Sequence, residues 1–85
     1  MNTNDQVAAA LGQIIRDTAD ERQMTITELA EKSGVHRVSI QRYIKGDREA
    51  RLAELSRLAD ALGIDTGVMV DRAIEKARLD SALGR

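Results

Sequence analysis

Glycine stands at positions 34, 46 and 63, and between these stops the apolar residues recur at steps of three and four. That rhythm is the period of one helical face, whereas a half-buried strand would need strict alternation. Leu52, Leu55, Leu58, Ala59 and Leu62 form the clearest stripe, and Gly63 follows them as a left-handed stop. No proline interrupts the chain, Phe and Trp are absent, and Tyr43 is the single aromatic. Ala, Val, Leu and Ile must therefore build the core, which favours helices packed through small side chains. The expected class is all-α.

Five helices are expected. Thr3 and Gln6 have capping-box spacing, and Val7, Leu11, Ile14, Ile15 and Thr18 follow on a first helix over about residues 4–22. Thr25 and Glu28 repeat that spacing and open a short second helix over Leu29 and Ala30. Ser33, Gly34 and Val35 make a tight turn into a third helix, about 36–45, ended by Gly46. The leucine stripe is the fourth helix, read as core along its whole length. Asp65 or Thr66 caps a fifth, about 66–79, and the final DSALGR is expected to fray. In that fifth helix Val68, Met69, Val70, Ala73, Ile74 and Ala77 exceed one narrow stripe, so Met69 or Ile74 is a candidate to face a second copy. The 85 residues fit one domain, 1–85, with a helix–turn–helix over about 25–45.

Composition removes several chemistries. Without cysteine there is no disulfide and no thiolate metal site. His36, the only histidine, has no companion for a metal, and no nucleophile–base set is legible. An enzyme, a metal, a cofactor and a small-molecule ligand are therefore not expected. No apolar run approaches the roughly 20 residues a membrane helix needs, and MNTNDQ lacks the basic and apolar regions of a secretion signal. A cytoplasmic protein without membrane contact is expected.

Charge is unevenly spread. Between Lys32 and Arg51 lie six basic and two acidic residues, net +4, in a chain of net −1, so the rest carries −5. On a wheel of about 100° per residue with Ile40 at zero, Ile44 falls near 40° and Tyr43 near 300°. Gln41, Lys45, Val38 and Arg42 fall at about 100°, 140°, 160° and 200°, and Arg37 lies on the flank near 60°. The third helix thus has an apolar side for the body and a basic side for an anionic partner.

The run ITELAEKSGVHRVSIQRYIKG resembles the helix–turn–helix of the Cro/phage-repressor family, whose pattern is roughly TQxxLAxxxGVSxxxISxxExG. Leu29, Ala30, Gly34, Val35, Ile40 and Gly46 occupy the matching positions. LAELSRLADALGIDTGVMV resembles the segment that follows in that family, and the likeness covers about residues 7–70. The resemblance implies a compact five-helix bundle of the lambda-repressor-like type that binds double-stranded DNA. By position, the family's base readers match Arg37, Val38 and Arg42, with Gln41 alongside. Phosphate contacts fall to Lys45, Arg48 and Arg51, to His36 at the helix start, and to Thr25 or Thr27 where the family's glutamine is replaced by Ile26. A family Arg–Glu pair is replaced by Ala19 and Ile44, which removes both charges together.

The function this implies is a sequence-specific transcriptional regulator, a phage or bacterial repressor occupying an operator. Homodimerisation on DNA is expected, and a monomer in solution is compatible with it. Two alternatives stand beside this reading: an antitoxin using its tail on a protein partner, and a recombination-directionality or architectural DNA-binding factor.

Overall fold

The structure, a computed structural model, describes residues 3–84, with side chains from Gln6 onward. The helices are α1 (Thr3–Glu21), α2 (Ile26–Ser33), α3 (Arg37–Lys45), α4 (Leu52–Leu62) and α5 (Thr66–Ala82). The expected Thr3–Gln6 capping box lies outside the described side chains.

Local chemistry sets the boundaries. The Glu28 N–H donates to Thr25 Oγ1 (3.1 Å), and the Thr25 N–H donates to Glu28 Oε1 (3.2 Å), so the second capping box is closed. The hydrogen bond from the Thr25 N–H holds the Glu28 carboxyl below its ordinary range. Gly34 and Gly46 end α2 and α3 at φ 74° and 76°, a left-handed backbone that costs other residues about 1–2 kcal/mol. Asp65 caps α5 by accepting from the Val68 N–H (3.1 Å). The turn after α1 has no glycine; Gln23 takes the left-handed conformation there, at φ 55°, and the Met24 N–H closes it onto the Ala19 carbonyl (2.9 Å). The Arg22 guanidinium donates to the Leu62 carbonyl and so joins the ends of α1 and α4.

Helix α1 packs against both α3 and α5. Ile15, Leu29, Ile40, Tyr43, Leu58, Leu62 and Met69 are the large, fully buried side chains of the core. Gly12 lets α1 approach the end of α3: a Cβ there would lie 1.9 Å from the Tyr43 carbonyl oxygen. On α1's other flank, Ala10, Ala73 and Ala77 form a second buried cluster, covered by Val7, Leu11 and Ile14. Small side chains set both approaches. Ala19 is buried and Ile44 packs half-buried against the same core, so the replaced Arg–Glu pair has become apolar packing.

Four expectations need correction. Leu52 is 74% exposed and does not belong to the core stripe; it is the first residue of α4, at the mouth of the 46–51 turn, and burial starts at Leu55. Met69 is fully buried and has no face to offer a second copy, whereas Ile74 is half-buried. Ser33 closes α2 and does not open the turn; it is buried, and its Oγ accepts the Val35 N–H (3.1 Å). Helix α5 continues through the segment expected to fray, as far as Ala82.

Candidate nucleic-acid interface

The apolar and basic sides of α3 are separated in the fold as the wheel requires. Ile40 and Tyr43 are buried and Ile44 is half-buried, while Arg37, Val38, Gln41, Arg42 and Lys45 are exposed. Val38 keeps 46% of its surface and so presents an apolar contact among the polar residues of this side. Among the described residues, no carboxylate lies within ion-pair distance of Arg37, Arg42, Lys45 or Arg51; the pairs found are Lys76–Asp80 and Arg78–Glu75, both on α5. The cations of α3 are thus presented to solvent without internal partners.

His36 is the N-cap of α3. Its Nδ1 accepts the Val38 N–H (3.2 Å), so the imidazole does the work of the more usual Ser or Thr and its ring stays exposed at the start of the helix. Thr25 and Thr27 are exposed at the start of α2. The Thr25 Oγ1 accepts from the backbone, which leaves its O–H available to donate outward.

A cleft joins these elements. Arg16, Asp20, Met24, Thr25, Ile26, Gln41, Ile44 and Lys45 line it, between the second half of α1, the start of α2 and the outer edge of α3. It brings Thr25 together with Gln41 and Lys45. It also adds Arg16, an exposed residue that the sequence reading passed over. Arg16 is four residues after Gly12 and so shares its side of α1, but that this side faces α3 shows only in the packed structure.

The remaining arginines sit at the other end of the basic segment. Arg48 is half-buried, its guanidinium carbon 6.0 Å from the centre of the Tyr43 ring, within cation–π range. Arg51 is the N-cap residue of α4 and supplies no side-chain cap. The Tyr43 hydroxyl donates to Glu54 Oε1 at 2.7 Å. Burial pushes the Tyr43 phenol above its ordinary value of 10, and the Glu54 hydrogen bond and charge push the same way; Arg48 and Arg51 oppose it.

No described helix is long and apolar enough to cross a membrane. Among the described residues no group of three His, Cys, Asp or Glu side chains could hold a metal ion.

Comparison with known proteins agrees with this geometry. A helix–turn–helix family model matches residues 14–68, which span α2, α3, α4 and parts of α1 and α5. No curated protein sequence matches the chain. A crystal structure of the clp gene regulator ClgR from Corynebacterium glutamicum is similar with a TM-score of 0.86 and 26% identity, over 92% of this chain and 83% of that one. A second ClgR structure gives 0.73 and 27%, over 79% of this chain and 87% of that one. The chain belongs to the Cro/C1-type helix–turn–helix family of DNA-binding regulators.

Proposed function

We propose that this protein is a sequence-specific repressor of phage or bacterial genes that acts by laying α3 in the major groove of an operator. The observation that carries the reading is the outward face of α3, whose long cationic and amide side chains have no described acidic partner. Arg37 and Arg42 each suit the two acceptors of guanine, Gln41 suits adenine, and Val38 suits the methyl group of thymine. Thr25, Thr27, His36, Lys45, Arg48 and Arg51 take phosphates, which fix the register of α3 without reading sequence. Arg16 joins them because it shares the cleft of Thr25 and Lys45. An anion beside Arg51 would also meet the positive end of the α4 dipole.

Occupancy of an operator blocks transcription sterically, so repression needs no chemistry beyond this face. The chain works in the cytoplasm as a single domain. It binds as a homodimer, since two-fold symmetry places two recognition helices about 34 Å apart on one side of the duplex. Ile74 stays a candidate for the contact between copies; Met69 does not.

Selection of bound sequences from a pool of random duplexes tests this. A short inverted repeat containing guanine, with half-sites one helical turn apart, is the expected result. An enriched single half-site would remove the dimer, and a pool that never departs from random would remove the repressor.

A further inference from the structure

Tyr43 fills the core with its ring, and phenylalanine would fill that space as well. The hydroxyl is what needs explaining, because a buried hydroxyl without a partner is costly. Its partner is the carboxylate of Glu54, and an acidic group is electrostatically adverse on a surface meant for DNA. Both oddities sit at the same point. Residue 43 is in the last turn of α3 and residue 54 in the first turn of α4, so their 2.7 Å bond closes the two ends of the 46–51 turn onto each other. Arg48, from within that turn, lies over the same ring.

We propose that Tyr43 and Glu54 form a brace that holds the 46–51 turn in place, so that Arg48 and Arg51 meet the DNA backbone; both are positioning residues that touch no nucleotide themselves. The proposal rests on the reading of Arg48 and Arg51 as phosphate contacts. Its physical content is that the hydrogen bond, charge-assisted and short, fixes the loop closure while the ring supplies a platform for Arg48. Without the brace the turn samples other arrangements. Ordering both arginines on phosphates then costs more conformational entropy than the second contact returns, so one of the two contacts is left unmade.

The experiment titrates a dye-labelled random-sequence duplex with the full chain and with Tyr43→Phe, Glu54→Ala and Glu54→Gln, from about 50 to 200 mM salt, with folded fraction followed by circular dichroism. Tyr43→Phe and Glu54→Ala are expected to stay folded and to weaken binding about five- to tenfold at low salt. Their salt slope should fall by about one unit, for one lost phosphate contact. Glu54→Gln, whose amide oxygen still accepts from the phenol, is expected to keep the wild-type slope. Wild-type slopes for folded Tyr43→Phe and Glu54→Ala overturn the brace alone. So does a loss of affinity that only follows the loss of folded protein, or a Glu54→Gln variant that behaves like Glu54→Ala. A wild-type chain with no salt-dependent binding overturns the DNA reading and the brace with it.

Discussion

Lys45 stands exposed at the end of α3 and shares a cleft with Thr25, Gln41 and Arg16. A point charge there attracts phosphate whatever the sequence, so Lys45→Ala should weaken operator and random DNA by the same factor. The slope of affinity against salt should fall by about one unit, and a sequence-selective loss would contradict the phosphate role. Tyr43 offers a measurement that needs no DNA. It is the chain's only tyrosine, so phenolate absorbance during an alkaline titration reports on it alone. Burial and Glu54 raise its folded value, so the midpoint should lie above 10 and return to near 10 in denaturant. The folded state then holds the proton more tightly than the unfolded state. The resulting stability is complete below the unfolded value and is lost as pH rises through the folded one. An unshifted midpoint would mean that the phenol is neither buried nor held by Glu54. At this scale the sequence was informative where a residue's role depends on its own helix. Val38, Gln41 and Arg42 are exposed because the apolar period of α3 leaves them no other side, and Arg37, on the flank, is exposed as the first residue of the helix. Arg16 was not legible, since its place beside Lys45 depends on how α1 crosses α3.

Helix ends announced by chemistry were legible, and those set by packing were not. Thr25 with Glu28, and Gly34, Gly46 and Gly63, mark boundaries by hydrogen bonds and left-handed backbone that are local properties of the chain. The end of α1 carries no such mark because Gln23 takes the left-handed position, and the apolar period alone placed it near residue 22, one beyond Glu21. Leu52 shows the opposite failure: it has the spacing of a core residue but precedes the part of α4 that other helices cover. Periodicity describes a face and says nothing of how far along the helix its neighbours reach. Gly12 lies mid-helix, where glycine costs roughly 1 kcal/mol relative to alanine. The approach of α1 to the Tyr43 carbonyl explains it. Gly12→Ala should therefore destabilise by about 1–3 kcal/mol despite the better helix propensity, because backbone and not a flexible side-chain tip must yield. Chemical denaturation reads the difference, and a stabilised Gly12→Ala would refute the close crossing.

The five-helix architecture was readable as a whole because spacing, turn glycines and the trailing leucine stripe agree with one another, and agreement across levels is what specifies a fold. The charge imbalance makes sense only at this scale. The net +4 between Lys32 and Arg51 is offset by −5 elsewhere, so the chain as a whole supplies no net attraction to DNA. Such a body should bind random duplex weakly and gain its affinity from the fitted face. That face was legible as a surface, and its use came from the resemblance to a DNA-binding family and not from the residues alone, because exposed arginines are ordinary on proteins. If the outward side of α3 reads base edges, Arg42, exposed on that side, should carry the signature. The measurement is the ratio of affinities for the duplex enriched from a random pool and for unselected duplex, in wild type and in Arg42→Ala. The substitution should lower this preference by about 1–3 kcal/mol and relax it at one base pair of each half-site. An unchanged ratio in a folded Arg42→Ala chain would contradict the base-reading role.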